Sequence, residues 1–177
     1  MMTRRTVMAL AIAALAAGPG LAHGPTPQEL TRTLAIAAPP EKVWEVLKSP
    51  AGIADWHPDI ASATLEGQGR GAKRTVEFKA GGHLVDGIDD VNDDKMTIRW
   101  RLSKEDIAVF PTSFYTNTLS VAPKETGSEV TWVSSFFRAD TTNEPPEEYS
   151  DEAAVAAMEK FADDGLAGLK AKVETGS

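Results

Sequence analysis

Ser150-Asp151-Glu152-Ala153-Ala154-Val155-Ala156-Ala157-Met158-Glu159-Lys160-Phe161-Ala162-Asp163-Asp164-Gly165-Leu166-Ala167-Gly168-Leu169-Lys170-Ala171-Lys172-Val173 is the stretch on which the fold turns. Ala154, Met158, Phe161, Gly165 and Leu169 recur every three or four residues, and Leu166 and Val173 widen the stripe. That is the spacing of one helix face. Ser150 suits an N-cap, and Asp151 and Glu152 put negative charge at the positive end of the helix dipole. The spacing predicts an amphipathic helix of about six turns, ending near Val173.

Working back from this helix, the hydrophobic period changes to two. Strands are expected at residues 61–66, 73–79, 83–90, 96–102, 114–121 and 129–137. Gly67-Gln68-Gly69-Arg70-Gly71, Ala80-Gly81-Gly82, Asn92-Asp93-Asp94 and residues 124–128 have turn composition, and hairpin-length links imply an antiparallel meander. Phe110-Pro111-Thr112 reads as a longer loop, and residues 141–149 as a polar connection. Further back, alternation around Leu34 and Ile36 suggests a first strand, ended by Pro39-Pro40. Val43, Trp44, Val46 and Leu47 then fall at helical spacing, and Ile53-Ala54-Asp55-Trp56 reads as a second short helical turn.

A single antiparallel sheet must cover its apolar face, and the last helix is the large apolar element available. The fold class expected is therefore α+β: a helix-grip arrangement, a curved antiparallel sheet of about seven strands wrapped around a long C-terminal helix, with two short helices after strand 1. Ala154, Ala157, Gly165 and Gly168 on the helix face are expected to widen a cleft between helix and sheet.

Composition bounds the chemistry. Among 177 residues, 26 are acidic and 18 are Lys or Arg, giving a net charge of −8. A pI near 4.9 excludes the basic face that nucleic acid requires. With no cysteine, disulfides, thiolate metal sites and a Cys nucleophile are excluded. Residues 1–22 read as a signal peptide: Arg4 and Arg5 precede an apolar stretch from Val7 to Ala17, and Gly20-Leu21-Ala22 offers small residues for cleavage. The apolar run, about 11 residues, is too short to cross a bilayer. Thr3-Arg4-Arg5-Thr6-Val7-Met8 also has a twin-arginine look, which leaves two export routes open. The expectation is a periplasmic protein of one domain over residues 23–177, with no membrane partner once the signal is removed.

The candidate ligand-binding residues follow from alternation. Ile98 and Trp100 share an inward face with Met96 and Leu102, while Arg99 and Arg101 face out. Phe78 accompanies Val76. Tyr115 and Asn117 fall inward with Leu119, and a buried phenol and amide need partners there. Trp132 and Phe136 alternate with Val133 and Phe137, so that strand is expected to be covered on both faces. Met158 and Phe161 supply the helix side. Trp56-His57-Pro58 has two readings. His57 is either presented to the cleft mouth as a ligand-orienting group, or it is a corner in which Trp56 plugs the core and the imidazole bonds backbone.

No catalytic, metal or cofactor site is expected. Asp90, Asn92 and Asp94 have the first spacings of a calcium loop, but Lys95 and Arg101 stand where that loop needs glycine and glutamate. His23 at a new N-terminus would need another ligand to hold copper, and only His57 and His83 remain. An acid/base enzyme would rest on His57, Tyr115 and Asn117, with no carboxylate tied to them by sequence.

Ile36-Ala37-Ala38-Pro39-Pro40-Glu41-Lys42-Val43-Trp44-Glu45-Val46-Leu47, followed by Trp56-His57-Pro58-Asp59-Ile60, resembles the opening of the START/Bet v 1-like helix-grip superfamily, in its polyketide cyclase/dehydrase-like (SRPBCC) branch. Ala22-His23-Gly24-Pro25-Thr26 and Asn143-Glu144-Pro145-Pro146-Glu147-Glu148 are similar to the periplasmic MxaD-type family that accompanies methanol oxidation. That resemblance implies a non-enzymatic accessory, partnered by a periplasmic dehydrogenase or cytochrome c. Two alternatives stand beside it: a carrier of a small apolar ligand in the cleft, and a cyclase- or dehydrase-type enzyme. The acidic surface would steer the chain toward a basic partner. The loops at residues 143–149 and 110–111 are the expected partner face.

Overall fold

The computed structural model describes residues 24–176; the expected signal segment and His23 lie outside them. Strand β1 (Gln28–Ile36) leads into helix α1 (Pro40–Leu47), a single 3-10 turn, and helix α2 (Ile53–Trp56). Six strands follow: β2 (Ile60–Glu66), β3 (Lys73–Phe78), β4 (His83–Asn92), β5 (Thr97–Lys104), β6 (Thr112–Pro123) and β7 (Ser128–Arg138). Helix α3 (Asp151–Thr175) closes the chain. All seven strands form one antiparallel sheet in the order β1-β7-β6-β5-β4-β3-β2, so the first strand pairs with the last.

Local chemistry explains these boundaries. Pro40 occupies the first turn of α1, where a missing N–H costs nothing. Ser150 Oγ accepts from the Ala153 N–H at 3.2 Å and caps α3. Gly176, at φ +72°, takes the left-handed position that ends the helix two residues beyond the expected stop at Val173. β1 starts at Gln28, earlier than the pattern around Leu34 suggested, because Leu30 is already buried. At the β3–β4 turn Gly82 has φ +78°, and a Cβ there would meet Val109 at 2.0 Å. That turn sets Arg74 directly opposite Asp86.

The core lies between the concave sheet face and α3, which buries Ala154, Met158, Ala162, Leu166, Leu169 and Val173. Phe161 sits half-buried at the stripe's edge. Two expectations are corrected. The glycines of α3 do not widen the cleft; they let it close. A Cβ on Gly165 would lie 2.8 Å from the Trp132 ring and 2.9 Å from His57, and one on Gly168 would lie 2.0 Å from the Trp56 carbonyl oxygen. β7 is also not covered on both faces: Val133 is 43% exposed, so Trp132 and Phe136 fill the core while Val133 points to solvent.

Polar contacts lock α3 to the sheet edge. Arg32 of β1 reaches Glu159 at 2.7 Å and Asp163 at 3.0 Å, and the Lys170 ammonium donates to the Ala35 carbonyl at 2.9 Å. At the other end, Arg138 donates to Asp151 at 2.8 Å and to the carbonyls of Asp140 and Thr142, which fastens the 139–149 connection to the start of α3.

Candidate functional site

In this fold a ligand would enter between α3 and the β3–β4 and β5–β6 loops. There the surface forms an open groove of about 520 Å³, lined chiefly by Pro58, Phe78, Lys79, Val109, Phe110, Ala157, Lys160 and Phe161. The Lys160 ammonium spans its rim, held by Asp59 at 3.0 Å and by Asp164 one turn along α3. Phe78, Phe110 and Phe161 make the floor, with ring centroids 5.5 Å apart for Phe110–Phe161 and 6.2 Å for Phe78–Phe161.

Beneath that floor lies an inner chamber of about 10 Å³, bounded by the same three rings and by Leu84, Tyr115, Asn117 and Met158. That is room for roughly one water molecule. Pockets that hold drug-sized ligands run to roughly 300–1,000 Å³. Of the residues expected to line a cavity, Phe78, Tyr115, Asn117, Met158 and Phe161 surround the chamber. Trp56, His57, Ile98, Trp100 and Trp132 do not; they pack the core around it. Leu84 and Phe110 line it without having been singled out from the sequence.

His57 is not at the cleft mouth. It is 1% exposed, its ring stacks on Phe161 at 4.1 Å, and both nitrogens are engaged. Nε2 lies 3.0 Å from the Phe161 carbonyl oxygen, and Nδ1 accepts the Asp59 N–H at 3.2 Å. These partners fix the proton on Nε2 in a neutral ring. Burial lowers its pKa to about 4, against the smaller opposing effect of the Phe161 carbonyl. The imidazole can approach that carbonyl because Gly165 leaves the space open.

The interior also holds a polar network absent from the sequence-based expectations. Arg74 and Asp86, both about 2% exposed or less, form an ion pair with Nε and Nη2 donating to Oδ2 at 3.0 and 2.7 Å. Tyr115 donates its hydroxyl to Asp86 Oδ1 at 2.6 Å, and Arg74 Nη1 donates to the Pro50 carbonyl at 2.8 Å. The guanidinium stacks over Trp100, 4.7 Å from its ring centre. Burial first, and then the Asp86 charge, push the Tyr115 phenol well above its ordinary pKa. Nearby, Asn117 Oδ1 accepts from Trp132 Nε1 at 2.9 Å and from Ser134 Oγ.

A signal for this network was present. Arg74 has the parity of Val76 and Phe78, and Asp86 that of Leu84 and Ile88, so opposite charges fall on inward positions of one hairpin. Asp86 is the carboxylate that an acid/base pairing with Tyr115 would need. Three donors already saturate it, which makes the cluster a brace rather than a proton acceptor.

A curved seven-stranded antiparallel sheet closed by one long C-terminal helix, with short helices after the first strand, is the helix-grip class. Residues 27–174 match the family model described as polyketide cyclase / dehydrase and lipid transport, and the chain belongs to that family.

Solved structures agree on the fold. XoxI from Bacillus cereus is 26% identical with a TM-score of 0.68, covering 80% of this chain and 92% of its own. An uncharacterised Bacillus thuringiensis protein is 24% identical with a TM-score of 0.69, covering 82% and 98%. The Zhui aromatase/cyclase from Streptomyces sp. R1128 is 17% identical with a TM-score of 0.71 over 84% and 94%. The last two likenesses bear on fold alone. A comparison with curated proteins finds no match.

Proposed function

We propose that this chain is a periplasmic, non-enzymatic accessory protein that works through its surface, assisting electron transfer from methanol dehydrogenase to its cytochrome c. The observation that carries the non-enzymatic part is the filled interior. A chamber of about 10 Å³ holds no substrate, and the interior acid/base groups, His57, Tyr115 and Asp86, are spent on one another and on backbone. The choice of partner rests on the resemblance of residues 22–26 and 143–148 to the MxaD-type family. An acidic chain with a net charge of −8 would be steered to a basic partner, at a rate that falls as salt rises.

The test is turnover of the purified dehydrogenase with its cytochrome c, with and without this protein, at two ionic strengths. Stimulation that weakens with salt is the expected result; indifference to the added protein ends the proposal. A second reading has one observation in its favour, the aromatic-floored groove of about 520 Å³. On that reading the chain carries a small apolar molecule at the mouth rather than in the interior. Native mass spectrometry of protein taken gently from its own periplasm would reveal an adduct.

A further inference from the structure

The convex face of the sheet carries a pattern that its inner face does not explain. Register places Glu29, Ser135, Thr116 and Arg101 side by side in one row across β1, β7, β6 and β5. The next row is Thr31, Val133, Thr118 and Arg99. Further along, Phe137 of β7 lies beside Phe114 of β6. Phe114 and Val133 are each 43% exposed, large apolar side chains on an outer strand surface otherwise made of Thr and Ser.

The charges sit at opposite ends of the rows. Arg99 and Arg101 share one carboxylate, Asp89, at 3.9 and 3.2 Å, which leaves that end net positive. Glu29 is exposed at the other end and has no ion-pair partner among the described residues. In a chain whose net charge is −8, these two rows pair two arginines with one glutamate.

We propose that a second copy of this chain packs on this face, sheet against sheet, the copies related by a two-fold axis that runs along the strands between β6 and β7. That operation lays β5 of one copy over β1 of the other and keeps the rows in line. Glu29 then meets Arg101 of the other copy, twice. Phe137 meets Phe114, and Val133 meets Thr118, so apolar groups fall on apolar or uncharged ones. No like charges are opposed. The remainder of an acidic surface would repel a second copy, which singles out this face for self-association. The inference is independent of the partner proposed for electron transfer.

Sedimentation velocity of the purified protein over a rising concentration series tests it. The expected result is a mass approaching twice that of the single chain, with Val133→Glu remaining monomeric while its circular dichroism is unchanged. Glu29→Arg or Arg101→Glu alone sets like charges together at two symmetry-related places, and should weaken the dimer about tenfold. The double swap, E29R with R101E, restores the pairing and should restore the dimer. A chain that stays monomeric throughout, a dimer indifferent to Val133→Glu, or a double swap no better than the single ones would each overturn the proposal.

Discussion

Replacing His57 with glutamine should flatten one part of the acid response of stability. In the folded protein the imidazole is neutral, with Nε2 donating to the Phe161 carbonyl at 3.0 Å and Nδ1 accepting from Asp59 at 3.2 Å. Protonation would point a new N–H on Nδ1 at the Asp59 N–H, inside a site only 1% exposed. The pKa accordingly falls from 6.5 to about 4. Between those values the unfolded chain takes up a proton that the folded chain refuses. Stability is therefore full above pH 6.5 and is lost as pH falls toward 4, by about 3 kcal/mol in total.

Glutamine keeps a donor for the Phe161 carbonyl but does not titrate. It gives up the ring stack and the acceptor for Asp59, at a cost of about 1–2 kcal/mol near neutral pH. Urea unfolding of both proteins, followed by tryptophan fluorescence at pH steps from 7 to 4, isolates the effect, because the many carboxylates cancel in the difference. The wild-type advantage should shrink by about 3 kcal/mol across that range and so reverse near its acid end. An advantage constant to within about 0.5 kcal/mol would refute the neutral, buried assignment of His57.

Other substitutions probe the remaining contacts. Gly168→Ala puts a Cβ 2.0 Å from the Trp56 carbonyl oxygen, so α3 must lift from α2; thermal unfolding should report a loss of about 2–4 kcal/mol. Arg74→Met strands the Asp86 carboxylate and should cost about 3–5 kcal/mol in urea, whereas Arg74→Met combined with Asp86→Leu should recover much of that. Phe161→Ala removes the ring common to the groove floor and the chamber roof; a fluorescent apolar dye should bind the variant and not the wild type, with a stability loss of about 3 kcal/mol.

Element order was legible in the sequence because each signal was local. Alternation marked β2 to β7, paired prolines and Ser150 marked helix starts, and the 3.6-residue stripe marked α3. The candidate site was less legible, and the reason is spatial. Whether Gly165 and Gly168 open or close a cleft depends on what faces them. Trp132, His57 and the Trp56 carbonyl come from other parts of the chain. His57 lies next to a proline turn in sequence, yet its bonding partner is the Phe161 carbonyl on α3. Arg74 and Asp86 were readable only by carrying alternation through the Ala80-Gly81-Gly82 turn and asking which inward positions meet. Polar residues inside a sheet are seen by parity, not by composition.

The pairing of β1 with β7 has a consequence for how the chain comes to be folded. Gln28 lies against Phe136, and Ile36 against Ser128, so the first strand made has no neighbour in the sheet until almost the last is available. The helix that covers both is later still. Hairpins from β2 to β7 can zip locally, but their apolar face stays bare until both ends of the chain arrive. The closing step joins the most distant segments and carries the loop-closure entropy of nearly the whole chain. Folding speed should therefore respond most to residues on that seam, such as Leu30 and Arg32, and least to the β3–β4 hairpin, which forms without them.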